Sequence, residues 1–173
     1  PVHHLHFSID APIQYHDLIY FPQNISNEVL YARESHGVAL YAQKILIQQD
    51  NEHLLPPYMR FVKGLIDSED LPLNVSRENV QKNVLIERIK KSLTSRILKE
   101  LETIGESKPE LFSKIWNNNG VLIKEGVSSD FANREKLLKL LRFNSSLSED
   151  EKGLTSLMEY VSRMREEQKE IYY

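Results

Sequence analysis

Apolar residues alternate with polar ones in Leu5-His6-Phe7-Ser8-Ile9, the period-two pattern of a half-buried strand. Leu18-Ile19-Tyr20-Phe21, closed by Pro22, predicts a second, short buried strand. Residues 23–37 carry Asn, Ser and Gly and read as a surface connection. Val38 to Ile47 reads as one longer strand, rich in apolar and aromatic residues. Leu54-Leu55-Pro56-Pro57-Tyr58 predicts a turn or a single helical turn. Phe61, Val62, Leu65 and Ile66 around Gly64 give one more strand, which breaks into the acidic turn Asp67-Ser68-Glu69-Asp70. Strands with so few helices between them imply mixed or antiparallel pairing.

From Glu78 the period changes. Leu85, Ile89, Leu93, Ile97, Leu101 and Ile104 lie mainly four residues apart, which is one stripe of a long amphipathic helix ending near Gly105. Arg88, Lys90, Lys91, Arg96, Lys99 and Glu100 cover the rest of it. A second helix is predicted from about Pro109 to Asn117, with proline in its favoured place at the start. A third covers about Asn133 to Leu141. A small unit follows: a strand near Leu141–Asn144, a polar loop over 145–153, a helix near Leu154–Met164 and a strand near Ile171–Tyr173. Strand, helix, strand in that order predicts a right-handed parallel crossover. The expected fold is thus α/β: a mixed sheet with helices, a helical connector, then a small second α/β unit. The expected divisions are 1–84, 85–141 and 142–173.

Composition narrows the function classes. The chain has 173 residues, 40% of them hydrophobic and 27% charged, enough for a real core. A net charge of −3 gives no global electrostatic case for nucleic acid. The basic face of the long helix carries no aromatic residue, so it offers bases no stacking platform. No apolar run approaches the length needed to span a bilayer. With no cysteine, disulfides and thiolate chemistry are excluded.

Candidate chemistry concentrates after the acidic turn. Pro72 disfavours helix at Leu71 and fixes its own backbone angle, so the loop reads as stiff. Ser76 is a candidate helix N-cap, which delivers Arg77 at the positive end of a helix dipole, a setting suited to an anion. Asp67, Glu69 and Asp70 could suggest a hard-metal site, but three acids in four residues read as a solvated turn. His4 and His6 share the strand face opposite Leu5 and Phe7 and read as a solvated face; no metal site is expected. Trp116 and Tyr58 could anchor a partner protein, with a core role the expected one for Trp116.

The run from Arg60 to Gln81 closely resembles the catalytic loop in the middle domain of the heat-shock protein 90 family of chaperones. Tyr41-Ala42-Gln43-Lys44-Ile45-Leu46-Ile47-Gln48 resembles that family's central strand. Leu140-Leu141-Arg142-Phe143-Asn144-Ser145-Ser146, Tyr160-Val161-Ser162-Arg163-Met164-Arg165 and Gln168-Lys169-Glu170-Ile171-Tyr172-Tyr173 resemble its later landmarks, in the right order. Leu122-Ile123-Lys124-Glu125-Gly126 is most similar to the bacterial branch, while Leu5 to Pro12 is also similar to the mitochondrial one.

The resemblance implies a middle-domain fragment of an ATP-driven, homodimeric chaperone that binds unfolded or partly folded clients. The implied setting is the bacterial cytoplasm, with the mitochondrial matrix as the alternative. ATP and magnesium would be held mainly by an N-terminal ATPase domain outside these residues, so this fragment alone would not be an active enzyme. By the same resemblance the catalytic loop spans 67–81. Arg77 would reach the ATP gamma-phosphate, Gln81 would hold the phosphate or the loop one helical turn later, and Asn74 and Ser76 would shape the loop. Asn79-Val80 replaces a more usual apolar pair and leaves Arg77 in place. Neither nucleic acid nor membrane is an expected partner. The rival class is a client or co-chaperone docking module with no direct part in ATP hydrolysis.

Overall fold

The computed structural model describes residues 1–11, 13–24, 29, 36–73, 83–146 and 153–172. These fall into two compact units, Pro1–Ile97 and Leu98–Tyr173, and the boundary lies inside a helix.

The first unit is built on a five-stranded mixed sheet. Its strands are β1 (His3–Ile9), β2 (Tyr15–Phe21), β3 (Val38–Ala42), β4 (Ile45–Asn51) and β5 (Lys63–Ser68), in the order β1-β2-β5-β3-β4. All neighbours run antiparallel except β3 and β5, which are parallel. The expectation of mixed pairing is met, with β5 in the centre.

Alternation sorts the two sheet faces. Leu5 and Ile9 of β1, Tyr15, Ile19 and Phe21 of β2, Val38 and Leu40 of β3, and Ile66 of β5 are buried. His4, His6, Leu18 and Tyr20 point the other way and are more open to solvent. Helix α1 (Val84–Ser107) meets the buried face: the Tyr15 hydroxyl donates to Ser92 Oγ at 2.9 Å, and the Arg96 guanidinium lies 5.0 Å from the centre of the Phe7 ring. Ser92 and Arg96 are four apart and share one helix face. The apolar stripe includes Ile86, Ile89, Leu93 and Ile97; Leu85, expected at its start, is only half-buried, and Ile86 takes the core position.

One strand expectation fails in an informative way. Val38–Ile47 is two strands joined by a tight turn, in which Gln43 and Lys44 both adopt positive φ, 51° and 68°. Such a turn matches the right-handed twist of a hairpin but usually carries Asn or Gly, so no turn residue marks it in the sequence. Leu54–Tyr58 contains the start of a short 3-10 helix, Pro57–Met59. Beside it the buried Arg60 donates through Nε to the Val29 carbonyl at 3.1 Å and through Nη1 to that of Pro57 at 2.9 Å.

The second unit contains α2 (Pro109–Ser129), a 3-10 turn at Phe131–Asn133, α3 (Arg134–Leu140), β6 (Arg142–Asn144), β7 (Leu154–Ser156) and α4 (Leu157–Ser162). Helix α2 runs on past the expected end at Asn117, through Asn118 and Asn119; Asn119 donates its side-chain amide to the Ile115 carbonyl one turn back. The expected parallel crossover is replaced by an antiparallel pairing of β6 with β7. Residues 154–156, expected in a helix, form β7 because Ser156 starts the helix after them. Its Oγ accepts from the Glu159 amide, and the Glu159 carboxylate accepts from the Ser156 amide. Ile171 and Tyr172 lie outside any strand among the described residues.

Candidate functional site

The expected site residues Asn74, Ser76, Arg77 and Gln81 lie outside the described residues. The structure does describe the place from which their loop departs and the helix it enters. Helix α1 is described from Val84, and Asn83 Oδ1 accepts from the Leu85 amide at 2.8 Å, satisfying one of the free donors of the first turn.

The departure point is the end of the central strand β5. On one flank, the ladder to β2 ends at the pair Tyr15–Ser68. Beyond it, side chains continue the contact. Ser68 Oγ donates to the Gln14 carbonyl at 2.8 Å, and the Gln14 amide donates to Asp70 Oδ2 at 2.7 Å. On the other flank, the parallel ladder to β3 ends at Ala42–Ser68. There the β3–β4 turn takes over: the Gln43 amide donates to the Ser68 carbonyl at 3.2 Å and the Lys44 amide to Asp67 Oδ1 at 3.1 Å. Gln43 Nε2 reaches the Glu69 carbonyl at 3.5 Å. Leu71, only 1% exposed, then fixes the chain into the core before Pro72 and Leu73 emerge.

The acids of this turn are therefore more than a solvated charge run. Asp67 and Asp70 each accept a backbone amide, and bonds to an ionised acceptor are among the stronger ones. Sequence reading missed Gln14, Gln43 and Lys44 as partners. They lie far away in sequence, and only strand order brings them to the same edge.

Elsewhere the expected residues behave as follows. Tyr58 is 1% exposed and Trp116 6%, so both belong to the core rather than to a partner surface. Trp116 stacks on Phe112 with ring centres 6.3 Å apart, and Gly120 lies so close beneath that a Cβ there would stand 2.9 Å from the indole. Among the described residues, no three His, Cys, Asp or Glu gather where they could hold a metal ion, and no described helix is long and apolar enough to cross a membrane.

Electrostatics single out Asp17, which the sequence reading did not. It is 1% exposed on β2, and burial pushes its carboxyl up to about 6, against the pull of a hydrogen bond from the Phe7 amide and the charges of Arg96, His6 and His16. Burial likewise raises the Tyr15 hydroxyl, with its hydrogen bond to Ser92 acting the other way. In the second unit, burial lowers Arg142, while hydrogen bonds from Ser156 hold Glu159 below the usual carboxylate range.

The second unit also carries an open cavity of about 710 Å³ lined by Phe143, Thr155, Leu157, Tyr160, Ile171 and Tyr172 among others. Met158, Val161 and Tyr172 are more than half exposed.

Comparison with known proteins fits this architecture. The Hsp90 protein family matches residues 1–173. The chaperone protein HtpG of Nitratidesulfovibrio vulgaris is 45% identical over 173 residues, which is all of this chain and 27% of that protein. HtpG of Francisella tularensis subsp. holarctica is 45% identical over 169 residues, covering 98% of this chain and 27% of its own length. The chain therefore spans about a quarter of the length of these curated relatives. Among solved structures, the middle domain of a Plasmodium falciparum putative heat shock protein superimposes with a TM-score of 0.85 at 27% identity, over all of this chain and 66% of that one. The chain belongs to the Hsp90 family and corresponds to a middle-domain segment of an Hsp90-type chaperone.

Proposed function

We propose that this segment supplies Arg77 to the gamma-phosphate of an ATP molecule held by the N-terminal domain of the same chaperone. The observation that carries the reading is the run Asp67 to Gln81, which matches the family's catalytic loop residue by residue at Arg77 and Gln81. A guanidinium at that place offsets negative charge that develops as the phosphoryl group leaves, and its planar fork suits two phosphate oxygens at once. Gln81 assists by holding the phosphate or the loop, with Asn74 and Ser76 shaping the backbone between. Nucleotide and magnesium sit in the partner domain, and this chain contributes the cation alone. The chaperone works as a homodimer on unfolded or partly folded clients. Its bacterial relatives favour the bacterial cytoplasm over the mitochondrial matrix.

The test is steady-state ATP hydrolysis by the full chaperone with Arg77→Ala, beside its thermal melt. Slower turnover with an unchanged melt supports the reading; wild-type turnover overturns it. A second reading, a docking module without an ATP role, is favoured by the exposed apolar side chains Met158, Val161 and Tyr172 of the second unit, which also holds the open cavity. It is the reading left standing if Arg77→Ala hydrolyses ATP normally.

A further inference from the structure

A buried acid and an arginine meet at the covered face of the five-stranded sheet without pairing. Asp17 stands on β2 between Tyr15 and Ile19, and alternation turns all three to that face. Its Oδ1 accepts from the Phe7 amide at 3.2 Å, and its Oδ2 is buried with no hydrogen-bond partner among the described residues. The Arg96 guanidinium of α1 lies over the ring of that same Phe7, 5.0 Å from its centre. Phe7 thus touches both groups, the acid through its backbone and the cation through its ring. One turn back along α1, Ser92 accepts from the Tyr15 hydroxyl at 2.9 Å, so helix and strand are already tied beside the pair. Arg96 can therefore change partners without any movement of the helix; rotation about the bonds of its half-buried side chain suffices.

We propose that Asp17 and Arg96 form a proton-controlled contact between β2 and α1: the guanidinium rests on the Phe7 ring while Asp17 is neutral and turns to its free oxygen once the acid ionises. The arrangement in the structure is the one for the neutral acid. A buried carboxylate with an empty oxygen is costly, and a guanidinium bonds an ionised carboxylate more strongly than it bonds the face of a ring. The charged and titratable groups that bear on Asp17 are Arg96 from α1, His6 from β1, and His16 and Tyr15 from its own strand; on β5 it faces the apolar Ile66. His6 and His16 alternate to the opposite face of the sheet, which leaves Arg96 as the cation on the side of the free oxygen. Burial pushes the acid up to about 6, which puts the exchange of partners in the mildly acidic range. Arg96 offsets only part of the cost of burial, so the acid still titrates above the ordinary carboxylate value.

The experiment follows the chain by nuclear magnetic resonance from about pH 4.5 to about pH 7.5, a range that spans the titration of a buried acid of this kind. Protons held over an aromatic ring are shifted upfield, so the Arg96 Hδ protons report contact with Phe7, and the Asp17 side-chain carboxyl carbon reports ionisation. The upfield shift should be present at the acid end, be lost at the neutral end, and disappear with the same midpoint as the carboxyl titration. In Asp17→Asn, which keeps the shape and never ionises, the shift should stay at every pH. In the double variant His6→Gln/His16→Gln the loss should remain, because those rings lie on the other face. A shift that persists at the neutral end while the carboxyl carbon shows Asp17 ionised overturns the proposal without recourse to any variant. A carboxyl that does not titrate in this range overturns it too. So does a loss of the shift that survives Asp17→Asn, or one that vanishes with the two histidines.

Discussion

Asp17 faces Phe7 across the β1–β2 ladder and accepts its backbone amide on Oδ1 at 3.2 Å, while Oδ2 is buried with no hydrogen-bond partner among the described residues. A carboxylate so placed is costly when charged. Burial raises its carboxyl from an ordinary 3.8 to about 6, even though the Phe7 amide, the Arg96 cation and the imidazoles of His6 and His16 all pull the other way. The folded state therefore binds a proton more tightly than the unfolded one, so folding stability should rise as pH falls from 7 through 6 and level off near 4. A rise of that size corresponds to at most roughly 3 kcal/mol. Asp17→Asn should remove this part of the pH dependence and stabilise the chain at pH 7.5 by on the order of 1 kcal/mol. Urea midpoints for both chains between about pH 4.5 and 7.5 provide the check; parallel curves for the two would refute it.

Gly64 sits in β5 opposite Ile19 with φ of +144°, where a Cβ would meet the Leu18 carbonyl oxygen at 2.1 Å. The backbone conformation and the close approach both demand glycine. Gly64→Ala should cost on the order of 3 kcal/mol or more, since the atom it strikes is main chain of the neighbouring strand. Denaturation followed by circular dichroism measures it, and a loss under about 1 kcal/mol would show that the strands can part there.

The first strand was legible because alternation survives where one face is covered, at Leu5, Phe7 and Ile9, whereas only the apolar end of the second, Leu18 to Phe21, was read and its start at Tyr15 was not. Helix α1 was legible because it keeps an apolar stripe over many turns, whereas only the first part of α2, to Asn117, was read. What escaped was written in single residues or in distant ones. The hairpin at Gln43-Lys44 uses left-handed conformations without Gly or Asn, so the two strands read as one. The helix start at Ser156 is a short capping box, hidden behind apolar Leu154 and Leu157 that suit strand or helix equally. For the candidate site, the Arg77 loop entered by its resemblance to a family motif. The bonds holding its stem were not legible, because Gln14 lies more than fifty residues from its partners.

Trp116 is the chain's single tryptophan and lies wholly within the second unit. Buried against Phe112 and Gly120, with the Lys124 ammonium 5.7 Å from its ring centre, it should emit at short wavelength and resist quenching by acrylamide. Its red shift on unfolding then reports on the second unit alone. Trp116→Ala should destabilise that unit by about 3–5 kcal/mol, the usual cost of emptying a large aromatic site. Strong quenching in the native chain would contradict the burial.

The chain alone should bind no ATP. No Gly-rich phosphate loop appears in its sequence, and its described acids do not converge on a metal site. Calorimetric titration with ATP and magnesium should show no specific heat. A micromolar affinity would place a nucleotide pocket inside these residues and change the division of labour proposed above.

The chemistry of Arg77 makes its own forecast. A cation that meets the gamma-phosphate only as the reaction proceeds stabilises the transition state and not the bound nucleotide. Arg77→Ala in the full chaperone should therefore lower the turnover number by at least roughly tenfold, about 1.4 kcal/mol of barrier, with little change in ATP affinity. If Arg77 serves the proposed role, its removal should change stability by less than about 1 kcal/mol. Arg77→Lys should recover part of the rate, because an ammonium keeps the charge and loses the planar pair of donors that a phosphate accepts. The ordering wild type, Lys, Ala in turnover number, at constant ATP affinity and constant melt, is the signature of a charge acting in the transition state. Equal rates for Lys and Ala would mean that charge is not what Arg77 contributes. A rise in the ATP dissociation constant that matches the loss of rate would mean that Arg77 grips the ground state instead.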